Sequence, residues 1–255
     1  MFRYILIAIL LTILVVVAGN QFLTGNRFSS WEKPVWITVY PILVEPDADI
    51  RRYVAGLKAD SFQDIGEFIR LQASSHGRQL ELPVVIQVAR PMTSLPPALP
   101  AEYSSLNVAL WSLKMRWWSW NHSGQDDLAP DDARMFVLYQ KKNTNGPMER
   151  SVGIKNGSYG IVNAVASRQA SAHNNIIITH ELMHILGASD KYDLHTGQPL
   201  VPDGLANPHQ SPLYPQSRAE IMGGRIATSA ARWRRPATLK SCVIGTATAT
   251  EIGWL

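Results

Sequence analysis

The residues most able to do chemistry are His180, Glu181 and His184, in the stretch "ITHELMHILGASDKYD" at residues 178–193. Successive residues of an α-helix rotate by about 100°, so His180 and His184 share one face while Ile178, Leu182, Ile185 and Leu186 fall on the opposite one. Two imidazoles one turn apart on a core-packed helix can grip a single ion. A carboxylate beside the first of them reaches a water at that ion without being a ligand. Zinc lowers the pKa of such a water toward about 7, and Glu181 is suited to accept its proton during attack on a carbonyl. A shuffled chain of this composition contains roughly 0.007 H-E-x-x-H matches, so chance is a poor explanation.

A catalytic zinc needs a third protein ligand and an open position. Gly187 allows a sharp turn three residues after His184, because glycine accepts the left-handed conformation that ends helices. Asp190 then lies within reach of the ion. Its rival is Glu220, a downstream carboxylate of the kind that completes other zinc sites, and the sequence leaves the two open.

With these residues in view, "HELMHILGASD" resembles the H-E-x-x-H-x-x-G-x-x-D zinc signature of metzincins, as in snapalysin-like and immune-inhibitor-A-like metallopeptidases. The latter commonly continue with a tyrosine and an aspartate, as "DKYD" does here. The resemblance also implies a methionine in a tight turn below the zinc, and "AEIMGG" (residues 219–224) offers Met222. It covers about 45 residues, from His180 to Gly224, and beyond them only the order of elements agrees. Carried over residue by residue, it implies His180, His184 and Asp190 on Zn2+, Glu181 as general base, Gly187 at the turn and Met222 as floor. The expected activity is zinc-dependent hydrolysis of peptide bonds in a protein or peptide substrate. The competing expectations are a membrane-tethered, non-catalytic zinc-binding envelope module and hydrolysis of a non-peptide amide in cell-wall material; an intact Glu181 weighs against the first.

The elements that must position these residues follow from patterning. A chain of 255 residues, 46% hydrophobic and 17% charged, is long and apolar enough for one substantial core, and it has no low-complexity tract. Its net charge of +4 is scattered, which argues against a nucleic-acid partner. The lone Cys242 permits no internal disulfide.

Residues 4–19, "YILIAILLTILVVVAG", carry no charge and reach about 24 Å as a helix. They read as a signal anchor or a cleavable signal peptide, with residues 20–33 as spacer and 34–255 as the metallopeptidase-like domain. The expected location is a single-pass cell-membrane protein with its domain on the non-cytoplasmic side, or a secreted or periplasmic one after cleavage.

Within the domain, strands are expected at residues 35–44, 83–90 and 134–140, and a glycine-punctuated hairpin or edge pair at 151–167. Helices are expected over 50–77 in two pieces, with Asp47 or Asp49 as cap, and over 104–121, where Leu106, Leu110, Leu113 and Trp117 recur at helical spacing. Trp111, Trp117, Trp118 and Trp120 read as core aromatics or as a glycan or membrane platform. The acidic 123–133 stretch reads as a solvated turn rather than a calcium loop. A closing helix is expected after Pro236, packed through Leu239, Val243, Ala247 and Ile252. A substrate strand is expected along an exposed edge at residues 159–166. The fold class is therefore α+β: a metzincin-like domain with a mixed sheet, a central active-site helix and an irregular C-terminal lobe, preceded by a transmembrane or signal helix.

Overall fold

Nearly continuous burial along the β-branched and aromatic segments 35–43 and 159–165 marks a sheet covered on both faces. The computed structural model describes residues 3, 4, 11, 28, 30–45, 47–100, 102, 104–124, 127–142, 151–153, 158–229 and 232–255. The apolar run at residues 4–19 falls almost entirely outside them. Among the described residues no helix is long and apolar enough to cross a membrane.

Strands β1 (Val35–Leu43), β2 (Val84–Val88), β3 (Ala133–Gln140), β4 (Val152–Gly153) and β5 (Tyr159–Val165) form one sheet in the order β2-β1-β3-β5-β4. All pairs are parallel except β4 on β5, where Val152 faces Ile161 and Gly153 faces Gly160. The hairpin expected at 151–167 is thus an antiparallel edge pair, its connection lying outside the described residues. Among the described residues, 159–166 are not the outermost strand: β4 pairs with β5 at Gly160 and Ile161 and forms that end of the sheet. A parallel β3–β5 pairing moves β5 inward, which no local pattern announces.

Side chains alternate between two cores, as strand geometry requires. Met135, Val137 and Tyr139 of β3 face helices α1 (Ala48–Ala55), α2 (Gln63–Ser75) and α4 (Ser171–Ile185), while Phe136 faces α3 (Ser105–His122). Asp47 caps α1 by accepting from the amides of Asp49 and Ile50, worth about 1 kcal/mol. A 3-10 turn at Ala59–Phe62 divides α1 from α2.

Helix α3 departs from expectation in its facing. Trp111, Met115 and Trp118 are its buried stripe, with the Trp111 indole donating to the Pro97 carbonyl and Trp118 to Ser94 Oγ. Leu106, Leu110, Leu113 and Trp117, expected to pack, are exposed. Both stripes share the helical period, so the indole anchors decide which one meets the sheet.

The acidic stretch before β3 is tied to the sheet: Asp131 accepts from Arg134 Nε at 3.0 Å and from the Tyr40 hydroxyl at 3.3 Å, and Asp132 accepts from the Trp36 amide at 2.9 Å. Arg134 and the Tyr40 phenol hold Asp131.

After α4 the chain is mostly turns. It regains short elements at β6 (Ala219–Glu220), β7 (Ile226–Ser229) and β8 (Arg232–Arg234). The expected closing helix is split into a 3-10 turn (Leu239–Ser241), β9 (Cys242–Val243) and a short α5 (Thr246–Glu251). β9 pairs with β6, and Gly245 lies against the Glu220 side chain, so extended pairing wins over helix until residue 246. Leu239, Val243 and Ile252 are buried as expected, but Thr248 and Ala249 take the place foreseen for Ala247.

Candidate metal centre

Helix α4 is seated by its aliphatic face and by two asparagines. Ile178, Leu182 and Ile185 are buried against the sheet, each contributing about 1.5–3 kcal/mol. Gly160 on β5 leaves room for the Met135 side chain: a Cβ there would meet Met135 Cε and Sδ at 3.3 Å. The Asn174 amide takes the place of a strand neighbour, accepting from the Val165 N–H (3.1 Å) and donating to the Val165 carbonyl (2.9 Å). Asn175 donates to the Ser61 carbonyl (3.0 Å) and to Asp64 Oδ1 (2.7 Å), fastening α4 to α2. With axis and rotation fixed, His180 and His184 face the opposite side, and Glu181 lies at its border against Gly153 of β4.

The helix ends as expected at Gly187, whose φ is +112°. The Gly187 amide donates to the His184 carbonyl (3.0 Å) and the Ala188 amide to the Met183 carbonyl (2.9 Å), the paired bonds of a Schellman turn. The reversed chain brings Asp190 back over the helix, placing Oδ1 3.2 Å from His180 Nε2 and 3.3 Å from His184 Nε2. The next residue is locked: Lys191 Nζ donates to Ser189 Oγ and Glu251 Oε1, each at 2.8 Å.

Each histidine is held from behind. His180 Nδ1 lies 3.0 Å from the Ile221 carbonyl and His184 Nδ1 3.0 Å from the Ala188 carbonyl. A carbonyl only accepts, so each Nδ1 carries the proton and each Nε2 turns a lone pair inward. Asp190 Oδ1 is buried with no hydrogen-bond donor among the described residues. Two imidazole lone pairs and a carboxylate oxygen therefore converge, all within 4.8 Å of one another. Three acceptors facing one another repel unless a positive species sits among them: a proton or a metal ion. A divalent ion favouring nitrogen and oxygen donors in a small cluster fits this set. Among the described residues this is the one group of His, Cys, Asp and Glu so arranged.

The electrostatics express the same demand for a cation. Burial opposes charging His180, but Asp190, Glu181 and the Ile221 carbonyl outweigh it and push its pKa up to about 9. Burial would raise Asp190, yet contact with the two imidazoles holds its carboxyl well below the usual carboxylate range. Glu181, 5% exposed, is pushed up mainly by burial, with the histidines opposing.

Glu220, the rival third ligand, is not in the cluster. Its carboxylate accepts from the Gly223 amide (2.6 Å), the Thr248 hydroxyl (2.7 Å) and the Gly245 amide (3.2 Å). It braces the turn in which Met222 is fully buried and from which Ile221 holds His180.

Sequence reasoning missed Gly153. Its amide hydrogen-bonds the Glu181 carboxylate. A Cβ at this position would lie 2.4 Å from the Glu181 carbonyl and 2.9 Å from His184 Cβ, so only glycine lets β4 cross α4 this closely. One residue in a glycine-rich stretch carries no local sign of that crossing. The backbone partners Ile221 and Ala188 were equally silent, since any residue supplies a carbonyl.

No family model matches the chain, and no curated protein matches it. Solved structures are remotely similar. A chaperone–substrate complex aligns over 86% of this chain and 33% of its own at 12% identity and TM-score 0.40. OgpA from Akkermansia muciniphila aligns over 86% of this chain and 60% of its own at 10% identity and TM-score 0.36. A catalytically inactive OgpA bound to an O-glycopeptide substrate, glycodrosocin, aligns over 63% and 49% at 10% identity and TM-score 0.29. The chain thus spans a third of the first structure and three-fifths of the second.

Proposed function

We propose that this protein is a zinc-dependent metallopeptidase of the metzincin type, with residues 34–255 as its catalytic domain. The observation that carries the reading is the convergence of His180 Nε2, His184 Nε2 and the donorless Asp190 Oδ1 beside a buried Glu181. The Gly187 turn and the buried Met222 support the metzincin assignment. His180, His184 and Asp190 hold the ion, their imidazoles oriented by Ile221 and Ala188. Bound zinc supplies a Lewis acid that acidifies water and polarises a peptide carbonyl.

Glu181 does the proton work. Its burial-raised pKa suits it to take a proton from the attacking water and return it to the leaving amine. The Gly153 amide keeps that carboxylate aimed. A peptide substrate aligns along β4, the last strand of the sheet among the described residues, next to Glu181. The chain is exported, held at the membrane by residues 4–19 or released from it by signal cleavage.

The test uses the full chain with stoichiometric zinc on unfolded protein substrates. Chelation should abolish cleavage and zinc restore it, and Glu181→Gln should keep the metal while losing about 10²–10⁴-fold in kcat. Stoichiometric zinc with no cleavage of any substrate would sink the enzyme reading.

A further inference from the structure

Among the described residues, the outer face of α3 is left exposed. Leu106, Leu110, Leu113, Trp117 and Trp120 lie within about 40° of one line along the helix. Their exposures are 68, 49, 49, 66 and 74%. Together they present roughly 600 Å² of apolar surface, at the top of what a soluble monomer leaves in water. Two cations flank the stripe, Lys114 and Arg116, about 80° to either side. The helix, Ser105–His122, contains no acidic residue.

We propose that this face lies in the headgroup region of an anionic phospholipid bilayer. An apolar stripe with tryptophans, bordered by cations on a helix free of acids, with Glu102 near its N-terminal end as the one acidic neighbour among the described residues lining the adjoining groove, is the arrangement that settles at a lipid interface: rings and leucines enter the acyl boundary and the cations meet phosphate. The sequence adds an independent pointer, the uncharged run at residues 4–19, which has the composition of a bilayer segment. A second copy is the weaker occupant, since a stable dimer buries about 800 Å² on each partner and this stripe falls short. The inner face is fully engaged by Trp111, Met115 and Trp118, so α3 can present its outer face without leaving the domain. The proposal does not depend on the metal centre.

The test must report on α3 itself, because residues 4–19 can bring the chain to lipid unaided. The full chain carrying Trp120→Cys with a polarity-sensitive dye is reconstituted in phosphatidylcholine vesicles containing phosphatidylglycerol; Leu82→Cys is the control. The native Cys242 is buried and escapes labelling. At residue 120 the dye should be shielded from iodide and quenched severalfold by a lipid-borne quencher. Lys114→Glu with Arg116→Glu should reverse both effects at low salt, and the dye at residue 82 should stay in water.

Four results would overturn the proposal. The first is a dye at 120 that stays open to iodide on the vesicles, and the second a dye at 82 that is shielded equally. Shielding that grows with protein-to-lipid ratio without lipid quenching would assign the face to a second copy. Shielding independent of that ratio, again without lipid quenching, would assign it to residues 4–19 of the same chain.

Discussion

Replacing Gly153 by alanine tests the least expected part of the site. The added Cβ would lie 2.4 Å from the Glu181 carbonyl oxygen, 2.9 Å from His184 Cβ and 3.0 Å from Glu181 Oε2. Ordinary heavy-atom contact begins near 3.5 Å, so β4 and α4 must separate by about 1 Å. The helix is wedged by Ile178, Leu182 and Ile185, whereas β4 is a two-residue edge strand, so β4 gives way. Overpacking of this kind costs about 1–3 kcal/mol in stability. The amide that steadies Glu181 moves with it, and a misplacement near 1 Å lowers turnover on the order of 10²-fold. The ligands on α4 and Asp190 are untouched, so metal content should stay stoichiometric. The assay is kcat and KM on an unstructured peptide, with elemental analysis and thermal melts on the same preparations. In a Glu181→Gln background the substitution should cause no further fall in kcat, because the group it misplaces is already disabled. Wild-type kcat and stability in Gly153→Ala would refute the reasoning, as would an undiminished kcat loss in the Glu181→Gln background.

Three further outcomes are expected. Asp190→Asn preserves shape but removes the charge facing the two Nε2 atoms, and should weaken zinc binding by at least about 100-fold in competition with a chelating dye; unchanged affinity would remove Asp190 from the ligand set. Gly187→Ala forces a side chain onto a φ of +112° and should cost about 1–2 kcal/mol in denaturant unfolding, with weaker metal binding; a neutral result would mean the turn bears no strain. Burial raises the Asp64 carboxyl above its ordinary 3.8, so the folded chain binds that proton more tightly than the unfolded one. That contribution to stability is full below about 3.8 and is lost as pH rises through the folded value. Asp64→Asn should therefore gain in melting temperature relative to wild type between pH 4 and 7, and parallel melting curves would contradict it.

The metal helix was legible because one short segment fixes its own geometry. Helical spacing alone sets His180 and His184 against Ile178, Leu182 and Ile185, and Gly187 marks the turn. The choice between Asp190 and Glu220 was not legible, because it depends on where the chain runs afterwards. Glu220 is claimed by Thr248, 28 residues further on, a partner that no local pattern names. Helix α3 was legible as a helix but not in its orientation: its apolar residues form two stripes of equal period, and hydrogen bonds to Ser94 and Pro97 choose between them. β4 has two described residues, too few to carry alternation, so the edge was assigned to the longer β5 segment beside it.

The two histidines differ in how much of the chain must exist before they are held. His184 finds its carbonyl at Ala188, within one turn of its own helix, whereas His180 waits for Ile221, 41 residues later. Ile221 in turn is tied to Val243 through its own amide. A chain emerging from the ribosome therefore presents a half-made grip until the segment around Val243 docks. On the proposed metal reading, tight capture of an ion becomes a late event in synthesis, and a chain cut short before residue 243 keeps the whole signature yet lacks the means to close it.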